Sequence, residues 1–119
     1  MKNFKQLLIW QRGMEIVKAI YPISREMTKK DQYIFFSQIN RSAISIPSNI
    51  AEGNSRRSTK ELFRYLEISL GSTFELETQL LILIDLKICY IDKIDPIISL
   101  IREEQKMING MMRKIQSQS

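Results

Sequence analysis

Residues 38–61 read QINRSAISIPSNIAEGNSRRSTKE, and no other segment says as much about the architecture. Their apolar positions keep a 3/4 spacing through Pro47, which predicts a helix that bends there. An interior proline removes a backbone hydrogen bond and clashes with the preceding turn, at about 3 kcal/mol. Gly53 is expected to close this helix in a left-handed conformation. Ser58 and Glu61 match a capping box, in which each side chain bonds the other residue's amide, so a new helix is expected from Ser58.

The same apolar spacing recurs in four segments of the chain, which predicts four helices. The rows are Leu7, Trp10, Met14, Val17 and Tyr21; Phe36, Ile39, Ala43, Ile46 and Ile50; Leu62, Leu66, Ser69, Thr73, Leu76, Leu80 and Leu83; and Ile94, Ile98, Ile101, Gln105, Ile108, Met112 and Ile115. Short polar links separate them, so we expect an all-α, antiparallel up-down four-helix bundle. Residues 1–119 would form one domain, with helices at about 6–27, 32–53, 58–88 and 93–116.

Composition narrows the class of protein. The 119 residues are 44% hydrophobic and 26% charged, as in an ordinary globular domain. No apolar run reaches the length of about 18 residues that a transmembrane helix needs, and the first residues do not resemble a secretory signal. Cys89 is the only cysteine. These features predict a cytoplasmic protein with no disulfide framework and no membrane partner.

The sequence offers little for catalysis. It contains no histidine, the commonest general base and metal ligand, and its four glycines stand alone. Glu75 and Glu77 would point about 160° apart on a helix, so they do not form an acid–base pair. We therefore expect no enzyme, no cofactor and no metal. An enzyme with an unfamiliar carboxylate site would need a pocket lined by Glu75 or Glu77.

Two further sets of residues admit a structural interpretation. Arg41 lies among core-spaced positions and should pair with the carboxylate of Glu77 or Glu52, either as an ion pair that fixes helix register or as part of a site with Asn49. Gly71 stands in the middle of a helix, where glycine costs stability, so we expect another backbone to approach it closely.

Positive charge is concentrated in the first half of the chain. Residues 1–64 contain 12 Lys and Arg against 5 Asp and Glu, whereas residues 65–119 contain 6 against 8. A basic half of the chain can attract the phosphates of a nucleic acid. The alternative interpretation is an ordinary charged surface that contacts only solvent. The arginines at 56 and 57 lie beside a helix start, which favours anions. The candidate nucleic-acid contacts are Arg12, Lys18, Arg56, Arg57, Lys60 and Arg64.

The third helix carries a second apolar row, formed by Phe63, Leu70, Phe74, Leu81 and Ile88, and the fourth has an extra row of Ile97, Leu100, Met107 and Met111. A bundle helix in a monomer needs one apolar face, so the second row is a candidate oligomer interface. The alternative is burial of this helix among its three neighbours.

Several of these residues resemble a known family. The matching positions include Trp10, Gln38, Arg41, the block SIPSNIAEG at residues 45–53 with Pro47, Asn49, Glu52 and Gly53, then Arg57-Ser58, residues 61–63, Leu70-Gly71-Ser72 and Glu75-Leu76-Glu77. They are similar to bacterial four-helix bundle proteins named for reading frames in intervening sequences of large-subunit ribosomal RNA genes. The resemblance covers about residues 4–92.

The resemblance implies a small cytoplasmic protein, an antiparallel four-helix bundle and a ring-like homopentamer. Relatives in the family include accessory proteins of diversity-generating retroelements, which bind nucleic acid and a reverse transcriptase. The family supplies no catalytic residues. Asn40 stands where the family often has a second arginine, which removes one positive charge, while Ser69 and Pro22 also depart from the usual pattern.

The leading hypothesis is a non-enzymatic, oligomeric bundle associated with RNA, whose basic residues contact phosphates without reading bases. The alternative is a protein–protein interaction scaffold, whose spare apolar rows meet other subunits and a partner polypeptide.

Overall fold

The computed structural model describes residues 3–118, and these are almost entirely helical with no strand, which confirms the all-α prediction. Helix α1 is Leu8–Ile20, α3 is Thr59–Asp85 and α4 is Ile91–Gln118. Helix α2 spans residues 29–54 and consists of an α-helical turn, Lys29–Asp31, a π-helical turn, Gln32–Phe36, and the regular helix Ser37–Asn54. The predicted domain limits at positions 1 and 119 lie outside the described residues.

The four helices pack in the cyclic order α1–α2–α3–α4, with the most extensive contacts between α2 and α3. This arrangement fits a four-helix bundle, and the molecule measures 48 × 20 × 20 Å. The groove between α1 and α2 therefore lies across the bundle from the groove between α3 and α4. Among the helices of residues 3–118, none has the length and apolarity that a membrane span requires.

The core rows predicted for α2, α3 and α4 are largely buried, but the row predicted for α1 is wrong. Tyr21 is 63% exposed, and Leu7, Trp10, Met14 and Val17 are only partly buried. The buried row of α1 is instead Ile9, Gly13, Ile16 and Ile20. The reason is close packing at Gly13, where a Cβ would lie 3.2 Å from the Cβ of Pro47. Glycine lets α1 turn this face towards α2.

The ends of α1 and α3 differ from the expected positions for backbone reasons. After Ile20 the chain winds as a 3-10 helix over Tyr21–Glu26, because Pro22 has no N–H to donate to the carbonyl four residues earlier. Helix α3 ends at Asp85 because Lys87 adopts a positive φ of 59°. At its start, the Ser58 hydroxyl accepts from the Glu61 amide at 3.1 Å, which is one arm of the predicted capping box.

The predicted left-handed conformation of Gly53 is wrong. Among residues 3–118 no glycine has a positive φ, and Gly53 is buried inside α2, which runs one residue further to Asn54. A Cβ on Gly53 would lie 2.7 Å from the Cβ of Tyr65. Glycine is therefore needed here for the close approach of α2 and α3. Pro47 is also inside α2, and the regular helix continues past it.

Candidate nucleic-acid interface

Four of the six basic candidates lie at one end of the molecule, where α2 turns into α3. Arg56 and Arg57 are in the turn, and Lys60 and Arg64 follow in the first turns of α3. All four residues are exposed. Lys60 and Arg64 are four residues apart, so they share one face of the helix. We call these four residues the basic end.

Tyr65 organises the arginines of the basic end. The guanidinium carbons of Arg56 and Arg64 each lie 5.0 Å from the centre of the Tyr65 ring, within the range of cation–π contact. Arg56 also donates to the Tyr65 hydroxyl at 2.9 Å and to Glu52 Oε1 at 3.0 Å. The pKa of Arg56 is raised, chiefly by Tyr65 and also by Glu52.

Arg57 and Lys60 differ from Arg56 because their charges are not compensated by the described residues. Neither side chain has an ion pair or hydrogen bond with any part of residues 3–118. Both are free to meet an anion from outside the chain. The basic end thus combines two arginines that contact one tyrosine with two cations that lack a partner among residues 3–118.

The other two candidates lie on α1 and do not join this group. Arg12 donates to Glu103 at 2.9 Å and lies 3.9 Å from Glu15, so its charge is already compensated. Lys18 is exposed six residues further along α1. Six residues correspond to a rotation of about 240° and a rise of about 9 Å, so Arg12 and Lys18 do not share a face.

The expected pairing of Arg41 with Glu77 or Glu52 is wrong. Glu77 faces α4, where it accepts from Arg102 at 3.2 Å and from Gln105 at 2.9 Å. Glu52 pairs with Arg56 one turn further along. Arg41 is exposed and has no ion pair or hydrogen bond within residues 3–118.

A row of polar contacts joins α2 to α3 instead. Ser42 Oγ lies 3.0 Å from Glu75 Oε1, and Ser45 Oγ lies 2.7 Å from Ser72 Oγ. Ser69 Oγ on α3 donates to the carbonyl of Ile46 on α2 at 2.9 Å, and within α2 Asn49 donates to the carbonyl of Ser45 at 2.8 Å. The SIPSNIAEG block therefore fixes how α2 lies on α3. At one end of this row, a cavity of about 380 Å³ is lined by Ser37, Gln38, Arg41, Ser42, Glu75 and Gln79.

The second apolar row of α3 divides into two parts. Phe63 and Leu70 are partly buried against the core, whereas Phe74 is 52% exposed and Leu81 is 42% exposed. Phe74 and Leu81 line a groove of about 500 Å³ between α3 and α4, together with polar residues such as Arg102 and Lys106. Apart from its chain neighbours and the nearby backbone of α3 itself, no described atom lies within 4 Å of a Cβ built on Gly71, so the described residues do not show the expected close approach of another backbone.

Across the bundle, the groove between α1 and α2 is almost entirely apolar. It has a volume of about 330 Å³ and is lined by Trp10, Met14, Val17, Ile44, Pro47, Ser48 and Ala51. Trp10 is packed edge-on against Phe4, with 5.4 Å between ring centres. Ile44, on the rim, is 45% exposed.

The core also holds a carboxyl group that the sequence analysis did not identify. Glu104 is fully buried, and neither carboxyl oxygen has a hydrogen-bond partner in the described chain. Burial raises its pKa to about 8; the charge of Arg12 lowers it and that of Glu15 raises it further. Glu104 follows Ile101 by three residues and precedes Ile108 by four, and this spacing could have identified it as a core position.

Within residues 3–118, no group of three or more acidic or cysteine side chains is arranged to hold a metal ion.

The chain matches a known protein family. The family model described as 23S rRNA-intervening sequence protein matches residues 5–110. No curated protein matches the chain.

Proposed function

Since the chain belongs to the 23S rRNA-intervening sequence protein family, we propose that it is a non-enzymatic, oligomeric helical bundle that associates with structured RNA. It acts in the cytoplasm, and its helices form an antiparallel up-down bundle. The observation that carries the proposal is the basic end, where Arg57 and Lys60 lack partners in the part of the chain that the structure describes and Arg56 and Arg64 flank Tyr65.

The chemistry of the basic end suits phosphate rather than base recognition. Guanidinium groups bind phosphate oxygens with two parallel hydrogen bonds, and a lysine adds a point charge. Such contacts give affinity without sequence information, and they depend on salt because counterions are released from the nucleic acid. Lys18 adds positive charge along α1, and Arg12 contributes less because its charge is compensated by Glu103 and Glu15.

A salt titration of a structured RNA tests the proposal. Affinity should fall as salt rises, and the double variant Arg57→Ala/Lys60→Ala should bind more weakly, with a logarithmic salt slope reduced by about 1 for each lost phosphate contact. The matched control is Lys29→Ala/Lys30→Ala, which removes the same charge at the start of α2. Absence of binding at low salt, or equal losses in both double variants, would contradict the proposal.

Self-association is the second part of the proposal. The exposed Phe74 and Leu81 on α3 offer apolar surface to a second copy, and the groove between α1 and α2 can receive it. The two surfaces differ and lie across the bundle from each other, so each copy would join the next head to tail. Such contacts generate a ring where the rotation closes, in keeping with the homopentamer that the family resemblance implies. Light scattering that gives only a 14.0 kDa monomer at micromolar concentration would contradict self-association.

A protein–protein scaffold is the second candidate function, and the exposed apolar grooves favour it. In that case the grooves would hold a partner polypeptide, and RNA would be incidental. A pulldown after nuclease treatment separates the two candidates. A scaffold keeps its protein partner, whereas an RNA-associated protein loses the proteins that were attached to it only through RNA.

A further inference from the structure

The polar cavity between α2 and α3 is a separate feature from the basic end. Arg41 lies thirteen residues before Asn54, the last residue of α2, which is about 20 Å along a helix, and the basic end begins only after that residue. The volume of about 380 Å³ lies within the range of small-ligand pockets, about 300–1,000 Å³.

The hydrogen-bonding groups of this cavity are only partly used by the described chain. Arg41 on α2 has no ion pair or hydrogen bond with the described residues, although Glu75 on α3 lines the same cavity. Glu75 Oε1 lies 3.0 Å from the Ser42 hydroxyl, while no described residue donates to Oε2. Gln79 Oε1 is buried and accepts no hydrogen bond from residues 3–118. A buried acceptor without a donor costs free energy, so a ligand that donates here would be favoured.

These groups are arranged with the donor on one helix and the acceptors on the other. The α2 side supplies the guanidinium of Arg41, and the α3 side supplies the oxygens of Glu75 and Gln79. A complementary ligand presents acceptors along one part of its edge and donors along the next. It must also be flat enough to enter between two helices, where the methylene stems of Gln38 and Arg41 offer apolar surface.

We propose that this cavity binds a guanine base presented by an unpaired RNA nucleotide, an inference that rests on the proposed association with RNA. Guanine carries the acceptors N7 and O6, to which an arginine donates two hydrogen bonds. Its Watson–Crick edge continues with N1–H and the exocyclic amine. These two adjacent donors can each donate a hydrogen bond to one oxygen of the Glu75 carboxylate. The second hydrogen of the amine can donate to Gln79 Oε1. Proteins commonly recognise single-stranded RNA through such edges of unstacked bases.

The other bases fit less well. Adenine places its exocyclic donor between two acceptors, so it offers no pair of adjacent donors to Glu75. The donors of cytosine are both on one nitrogen and diverge, which prevents a two-point contact with a carboxylate. Uracil has a single donor flanked by acceptors. Guanine alone supplies two acceptors for Arg41 and parallel donors for Glu75.

Calorimetric titration of the full chain with four nucleoside monophosphates tests the inference. Guanosine monophosphate should bind at least about tenfold more tightly than the adenosine and cytidine forms. Inosine monophosphate lacks only the exocyclic amine and should bind more weakly than guanosine monophosphate. Glu75→Gln and Arg41→Ala should each reduce the affinity for guanosine monophosphate by about tenfold or more. Glu67→Gln, which neutralises an exposed carboxylate elsewhere on α3, is the matched control.

The outcomes separate this inference from the proposed function. If guanosine and adenosine monophosphates bind equally, or if Glu75→Gln behaves like Glu67→Gln, the guanine site is overturned even where structured RNA binds in a salt-dependent way. An RNA arm compares an octamer of uridines with one carrying a single guanosine. A preference for the guanosine octamer that Glu75→Gln removes supports the inference, and equal affinity for the two octamers overturns it. If the chain does not bind structured RNA but still prefers guanosine monophosphate, the proposed function is overturned. In that case the guanine bound in the cavity does not come from RNA.

Discussion

Glu104 on α4 lies directly against Gly13 on α1: a Cβ built on Gly13 would sit 3.3 Å from Glu104 Oε2. The missing side chain of Gly13 is what makes room for a carboxyl group in the core. Neither oxygen of this group has a hydrogen-bond partner in the described chain. A charged carboxylate is costly in such surroundings, and for that reason the pKa of Glu104 rises to about 8.

The first prediction is that stability falls as pH rises from about 5 to 8.5. The pKa of Glu104 is about 8 in the folded chain against an ordinary 4.5, so between these values the folded state binds a proton that the unfolded state has released. The stabilisation is fully present below about 4.5 and is lost as pH rises through 8, with a slope of up to about 1.4 kcal/mol per pH unit. Urea unfolding followed by circular dichroism measures it.

The control for this prediction is Glu104→Gln, which cannot ionise and should flatten the dependence. The chain has no histidine, so few other side chains titrate in this interval. A wild-type urea midpoint that is constant from pH 5 to 8.5 would show that Glu104 is not held in its neutral form.

A second prediction concerns the missing hydrogen bonds of Glu104. Replacing this residue by methionine removes two unpaired polar atoms from the core at similar length. Since a buried polar group without a partner costs about 1–3 kcal/mol, Glu104→Met should raise the free energy of unfolding at pH 8 by an amount of that order. Glu103→Gln is the comparison: Glu103 is exposed and should change stability by less than about 1 kcal/mol. Destabilisation by Glu104→Met would point to a partner for the carboxyl group.

The position of Glu104 illustrates what the sequence can and cannot supply. The core rows of α2 and α3 were predictable because in each helix one row keeps the 3/4 spacing without interruption, which the second apolar row of α3 does not. On α4, Glu104 and Gln105 both fit the 3/4 spacing around Ile101 and Ile108, and the sequence alone does not choose between two polar residues. Gln105 was predicted in the core, yet Glu104 is the fully buried one because it fills the space beside Gly13.

The errors on α1 and at Arg41 have a similar origin. On α1 two neighbouring rows are apolar, and the deciding feature is a glycine, which a spacing argument counts as neutral. For Arg41, the spacing along each helix shows which side chains share a face, but it does not show which neighbouring helix that face contacts. Glu77 points to Arg102 on α4, and this cannot be derived from positions along α3 alone. The turn containing Arg56 and Arg57 was predictable, whereas the role of Tyr65 between two arginines required the folded chain.

The third prediction compares two glycines. At Gly53 a Cβ would lie 2.7 Å from the Cβ of Tyr65, so Gly53→Ala must push α2 and α3 apart and should destabilise by about 1–3 kcal/mol. At Gly71 a Cβ would meet no described atom within 4 Å beyond the local turn of α3, so Gly71→Ala should gain helix propensity worth up to about 1 kcal/mol. Thermal or urea unfolding at a protein concentration too low for self-association measures both. Equal effects of the two variants would contradict the packing at Gly53.

The last prediction tests head-to-tail self-association through two variants that each block one surface. Phe74→Glu places a charge on the exposed part of α3, and Ile44→Glu places one on the rim of the groove between α1 and α2. Each variant alone should stay monomeric with unchanged helicity, because a charge cannot be buried in an apolar contact without a partner. Mixed in equal amounts, the two variants retain one intact pair of surfaces, so they should form a dimer of twice 14.0 kDa and nothing larger. Size-exclusion chromatography with light scattering measures these masses.

The control is Tyr33→Glu, at a residue that is 87% exposed and lines neither groove, and it should keep the mass of the wild type. A mixture that stays monomeric would rule out the pairing of these two surfaces, and single variants that keep the wild-type mass would place the contact elsewhere on the bundle.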